Sequence, residues 1–196
     1  MRPMSPATHR FEELLCYAPS AALATRAIHV RVLAEDDGSL RITYTVAADV
    51  ERLRIPAARA PARADGLWRH TCLEAFITTT DSPAYIELNF SPSGEWALYH
   101  FNAYREGMRA VTISREPVVV VRQTEGQLEV EARVPAEALA LVRFVAPQKS
   151  AGVSLHVALA AVMEDIDGVV SYWALRHPAA KADFHHPDSF VLELPP

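Results

Sequence analysis

Residues 67–108, LWRHTCLEAFITTTDSPAYIELNFSPSGEWALYHFNAYREGM, hold two of the three tryptophans, Trp68 and Trp96, a Glu87-x-Asn89 pair and a Ser91-Pro92-Ser93-Gly94 turn. Rings supply apolar faces, and carboxylates and amides supply directed hydrogen bonds. Set on neighbouring strands, these groups suit the holding of a polyol or a flat cofactor. The chemistry is recognition before catalysis.

The elements that must carry these groups follow from period-two alternation. In 85–90, Tyr85, Glu87 and Asn89 share one face, while Ile86, Leu88 and Phe90 share the other and belong to a core. The next strand, from Trp96, returns antiparallel after the Ser-Pro-Ser-Gly turn, with two registers open. Pairing Phe90 with Glu95 would bring Trp96, Leu98 and His100 to the Glu87 face; pairing Phe90 with Trp96 would bring Ala97, Tyr99 and Phe101. Both put aromatic surface beside Glu87 and Asn89. A strand over 67–78 would place Trp68, His70, Cys72, Glu74 and Phe76 together, so that Glu74 falls among rings. A buried carboxylate costs several kcal/mol unless paired, so Glu74 and Glu87 each call for a partner: an arginine such as Arg69 or Arg105, a backbone donor, or a ligand.

The third tryptophan lies in Ser171-Tyr172-Trp173-Ala174, which runs through Arg176-His177-Pro178 into the dense loop Lys181-Ala182-Asp183-Phe184-His185-His186. Loops at strand exits often carry function. His177, His185 and His186 invite a metal reading, but adjacent histidines on extended chain point to opposite sides. Capping and stapling of the last strand is the simpler expectation.

With 196 residues, 50% hydrophobic and 22% charged, the chain fits one compact domain over 1–196. A net charge of −5 with scattered basic residues argues against a nucleic-acid surface. All but two of the 19 basic residues, Lys149 and Lys181, are arginine, a composition suited to carboxylate pairing and ring stacking. The first twenty residues lack the apolar stretch and cleavage site of a secretory signal, and no run approaches about 20 apolar residues. The expectation is a cytoplasmic protein that does not engage a membrane. Cys16 and Cys72 have no metal-like spacing and read as reduced thiols.

Alternation and frequent turns predict an all-β antiparallel sandwich with little helix. Strands are expected at 27–34, 40–47, 67–78, 85–90, 96–104, 118–122, 127–135, 153–162, 169–175 and 189–194. Asp36-Asp37-Gly38, Thr124-Glu125-Gly126 and Asp165-Ile166-Asp167-Gly168 close three hairpins. Helix is expected only near 135–139 and over the first fifteen residues, and 54–65 reads as a surface loop.

LWRHTCLEAF, YIELNFSPSGEWALYHF, YREGM, MEDIDGVVSYWALRHP and KADFHHPDSF together resemble the bacterial DOMON-like proteins, a family related to DOMON domains and to family 9 carbohydrate-binding modules. The resemblance implies an immunoglobulin-like or jelly-roll sandwich. It also implies a site on one sheet for a sugar or a haem, a sugar being clasped between two tryptophans. Trp68, Trp173, Glu87 and Asn89 are the counterparts it suggests. The resemblance departs in one respect: such relatives are usually secreted.

The leading expectation is therefore a non-catalytic module for a saccharide or sugar-containing metabolite. Trp68 and Trp173 would stack on it, Glu74, Glu87, Asn89 and Arg105 would hydrogen-bond it, and His177 would complete the set. Carboxylate-to-hydroxyl bonds are worth about 1.5–3 kcal/mol each in a dry site. No cofactor or metal is required by this reading. One alternative is a haem domain with Met108 or Met163 and His100 or His156 as axial ligands; another is a protein-interaction scaffold working through sheet edges. A glycan-cleaving enzyme with Glu74 and Glu87 as acid and base is a further class, but no catalytic motif supports it.

Overall fold

The computed structural model describes residues 9–19, 23–80, 82–143 and 153–195. Alternating sequence becomes β1 (His9–Cys16), β2 (Thr25–Ala34), β3 (Leu40–Ala48), β4 (Cys72–Thr79), β5 (Tyr85–Phe90) and β6 (Trp96–Phe101). The chain continues with β7 (Arg109–Ala110), β8 (Val118–Thr124), β9 (Gln127–Val134), helix α1 (Ala136–Arg143), β10 (Leu155–Glu164), β11 (Val170–Ala174) and β12 (Leu192–Leu194). The strands form one antiparallel sheet in the order β7-β6-β5-β4-β10-β11-β1-β2-β3-β9-β8, with β12 on β10. The sheet curls on itself into a sandwich. β1 is the corner: its residues from His9 to Leu14 pair with β2, whereas Leu15 and Cys16 pair with Ala174 and Trp173 of β11.

The inward faces of the two layers make a single core. Ile28, Val30, Ile42, Tyr44, Val46 and Val130 come from one layer; Leu73, Ile86, Leu88, Phe90, Leu98, Leu159 and Met163 come from the other. The Tyr44 hydroxyl crosses between layers and donates to the Glu74 carbonyl at 2.7 Å. Phenol burial without that acceptor would cost about 1–3 kcal/mol.

All three predicted hairpin turns join antiparallel neighbours: β2 to β3, β8 to β9 and β10 to β11. Two expectations are corrected. The expected N-terminal helix is instead strand β1 over its described part, because pairing with β2 overrides local propensity; residues 1–8 lie outside the described residues. The strand expected over 67–78 begins only at Cys72. Gly66 sits at φ 75°, a left-handed geometry that favours glycine, and the chain then makes a 3-10 turn over Leu67–Arg69.

Candidate functional site

In the β5–β6 hairpin Phe90 pairs with Trp96. Of the two registers left open by the sequence, this one matches apolar side chains: Phe90, Leu88, Trp96 and Leu98 all enter the core. The outer face is fixed by the same choice. Glu87 stands opposite Tyr99, Asn89 opposite Ala97, and Tyr85 opposite Phe101. On the other side of β5, Asn89 faces Glu74 and Glu87 faces Phe76. One strand further, Ala160 faces Glu74 and Ala158 faces Phe76.

The result is a polar patch of Glu74, Glu87 and Asn89, set in a floor of small residues that includes Ala97, Ala158, Ala160 and Ala174 and walled by aromatic rings. Trp68 meets Tyr99 edge-on at 5.7 Å, and Tyr85 stacks on Phe101 at 4.7 Å. Phe184 and Phe190 pack over the same face from the C-terminal loop. His185 is among them, edge-on to Phe76 at 4.9 Å and Phe101 at 5.2 Å, with Nδ1 2.8 Å from the Tyr85 hydroxyl and Nε2 3.8 Å from Glu87 Oε2.

The electrostatics are those of carboxyl groups stripped of water. Asn89 donates from Nδ2 to Glu87 Oε1 at 2.7 Å, and Cys72 Sγ lies 3.6 Å from Asn89 Oδ1. Glu74 Oε1 is buried with no hydrogen-bond partner. Burial first, and then the charge of Glu87, hold the Glu74 carboxyl well above the usual carboxylate range. Burial also raises Glu87, but the Asn89 hydrogen bond and the Arg105 charge pull it back. Adjacent buried carboxyls resist double ionisation, so Glu74 holds its proton while Glu87 is the first to ionise. Burial, with the Arg105 charge adding and Asp183 opposing, lowers His185 to about 4. At neutral pH the imidazole above Glu87 is uncharged.

The C-terminal loop is tied down by Asp183. Its carboxylate accepts from Tyr104 Oη at 2.5 Å, Arg105 at 2.7 Å and the His185 backbone at 3.2 Å. Arg105 comes from a turn in which Arg105 itself has φ 57° and Gly107 φ 64°. A Cβ at Gly107 would lie 2.3 Å from Asn102 Nδ2, so this turn requires glycine.

The structure therefore brings together Trp68, Glu74, Glu87 and Asn89 of the expected set, and it places Arg105 at the rim. It does not bring Trp173 or His177 there. Trp173 pairs with Ala161 on the core face, 5% exposed, and its Nε1 donates to Ser171. His177 bonds the Leu15 carbonyl at 2.7 Å and packs on Tyr17. The arginine partners expected for Glu74 are engaged elsewhere or distant: Arg105 is on Asp183, and Arg69 lies back over Gly66. The three loop histidines take three separate roles, with His186 accepting from the Asp188 backbone as a cap. Met163 is sealed in the core and Met108 is exposed. Tyr99, Asp183 and His185 are not among the expected ligand-binding residues: the register decides between the two faces open to Tyr99, and the return path of the C-terminal loop brings Asp183 and His185 over this face.

Two clefts open at the ends of this face. One of about 640 Å³ is lined by Trp68, Arg59, Arg69, His70, Asp65 and Glu95, among others. The other, about 540 Å³, is lined by Tyr85, Tyr104, His156, His185, Phe190 and Ser82, among others.

No protein-family model matches the chain, and no functionally curated protein is significantly similar to it in sequence. Among solved structures, the chain is similar to a candidate carbohydrate-binding protein from Bacteroides uniformis, at 15% identity and a TM-score of 0.69, over 93% of this chain and 84% of that one. A family 9 carbohydrate-binding module from Caldicellulosiruptor kristjanssonii also matches. Its cellotriose complex aligns at 12% identity and a TM-score of 0.49, over 84% of this chain and 71% of that one. Its glucose complex gives a TM-score of 0.45, at 12% identity and over 84% and 73% of the two chains. At these identities the first likeness is one of fold, the antiparallel sandwich described above.

Proposed function

We propose that this protein is a non-catalytic saccharide-binding module, related to the DOMON-like proteins, whose ligand docks at the outer face of the β6-β5-β4-β10 layer. The observation that carries the reading is the array of Glu74, Glu87 and Asn89 under aromatic rings, with Glu74 Oε1 left without a partner. A buried acceptor without a donor is costly in a protein interior; a ligand hydroxyl is a donor of suitable size. Rings beside such acceptors present the apolar surface that a sugar's C–H face needs. The description of the Bacteroides uniformis neighbour as carbohydrate-binding is in keeping with this reading.

The same two carboxyls also suggest acid–base hydrolysis, since one is held protonated and the other ionises first. Hydrolysis requires a water between base and sugar. Here Glu74 and Glu87 are 3% and 4% exposed, beneath Phe184 and His185, so any ligand meets them only as that loop gives way. Asn89 already donates to Glu87 Oε1, which ties the would-be base into a binding array and favours recognition over turnover.

The test is titration of the intrinsic fluorescence with a panel of mono- and disaccharides. Trp96 and Trp173 are core residues and Trp68 is half-buried at a cleft, so Trp68 is the reporter. A saturable signal in the micromolar-to-millimolar range, weakened about tenfold or more in Glu87→Gln, is the expected result, and calorimetry should show the same sugar no longer bound by Trp68→Ala, which lacks the reporter. Silence across the panel, with wild-type folding intact, would overturn the proposal.

A further inference from the structure

The cleft beside Trp68 differs chemically from the polar patch. Two carboxylates line it, and each has its own guanidinium: Asp65 is held by Arg63 at 2.6 Å and Glu95 by Arg59 at 3.4 Å. Glu164 touches the cleft only through His70 of its lining, 2.7 Å away, and is paired with Arg54 at 3.0 Å. Asp65 also accepts from the Tyr99 hydroxyl, and the Arg63 guanidinium lies over the Tyr99 ring, which settles both charges against the wall of the site. Arg69 is the remainder. It lines the cleft, is exposed, and makes no ion pair or side-chain hydrogen bond with any described residue. Its side chain lies over Gly66, with Nε 3.6 Å from where a Cβ would sit, and it lines the cleft together with Trp68.

We infer that this cleft selects an acidic saccharide: a hexuronate unit whose ring lies on Trp68 and whose carboxylate is taken by Arg69. The inference rests on the saccharide-binding reading and names its ligand class. One uncompensated guanidinium matches one negative charge, and its planar fork matches a carboxylate. A phosphate monoester carries close to two charges at neutral pH, more than this cleft offsets. Glu74 and Glu87 sit on the same sheet face, and their buried carboxyls offer an anion no cationic partner, so the acid group docks at the Arg69 end, away from the buried pair.

The experiment is a titration of the full chain with glucuronate, galacturonate and glucose, in low-salt and high-salt buffer. It uses wild type, Arg69→Gln, Arg69→Lys and Trp68→Ala, with acetate and inorganic phosphate as competitors. The expected result is that a hexuronate binds about tenfold or more tighter than glucose. That preference should vanish in Arg69→Gln, partly return in Arg69→Lys and shrink in high salt, and Trp68→Ala, followed by calorimetry, should lose binding of both sugars. Equal binding of glucose and hexuronates, or a preference unchanged in Arg69→Gln, would overturn the inference while leaving the saccharide reading standing. Displacement of glucuronate by acetate or phosphate as readily as by glucuronate itself would reduce the cleft to a bare anion site and overturn it. No binding of any sugar would overturn both.

Discussion

Glu74 is held between two costs. Ionised, it would sit without water beside Glu87; protonated, it leaves Oε1 unpartnered. The second cost is smaller, so the native state keeps the proton. The unfolded chain releases it near the ordinary value of 4.5. Above that pH the native state therefore binds a proton that the unfolded state lacks. Stability should fall by up to about 1.4 kcal/mol per pH unit until the raised native value is passed. His185 acts with the opposite sign. Its native value is near 4 against an ordinary 6.5, so its share of stability is full above 6.5 and is lost as pH falls toward 4. Comparing Glu74→Gln with wild type isolates the carboxyl, because His185 contributes to both. The variant should gain on wild type as the pH rises above 4.5 in urea denaturation. A difference flat with pH would mean that Glu74 is ionised in the native protein.

The loop that covers the patch is tethered by Asp183, which gathers Tyr104, Arg105 and the His185 backbone. Arg105 is half-exposed, so its ion pair is partly screened, and the buried hydrogen bonds carry most of the tether. Asp183→Ala should cost about 2 kcal/mol, quicken amide exchange over 183–190 and open the chain to trypsin after Lys181. Unchanged exchange there would show that Phe184 and Phe190 hold the loop unaided. Elements of this kind are where sequence reading runs short. Alternation in Tyr85–Phe90 revealed the faces of β5 because one set, Ile86, Leu88 and Phe90, is wholly apolar. In β11 both sets carry a ring: Tyr172 on one side, Trp173 on the other. Which ring faces the core depends on pairing with β10, a contact distant in sequence, so Trp173 is misassigned by neighbourhood alone. The 3-10 turn at Leu67–Arg69 is hidden likewise, since a single left-handed glycine displaces the strand start by several residues.

The two layers share one core and one strand. β1 pairs with β2 in one layer and with β11 in the other, so neither layer can leave without breaking backbone pairing in its neighbour. Leu14, fully buried, sits just before the point where that strand changes partner. The inner side chains of both layers form a single apolar cluster, and the Tyr44–Glu74 hydrogen bond links the layers directly beneath the polar patch. Such an architecture should unfold as one cooperative unit. Two probes can separate the layers, because both core tryptophans, Trp96 and Trp173, belong to the layer that carries the patch, while far-UV circular dichroism reports on all strands. Urea transitions followed by the two probes should coincide in midpoint and slope. If the fluorescence transition came first, the patch-bearing layer would be a separable unit. The buried carboxyls would then be destabilising that layer locally, instead of drawing on the stability of the whole sandwich.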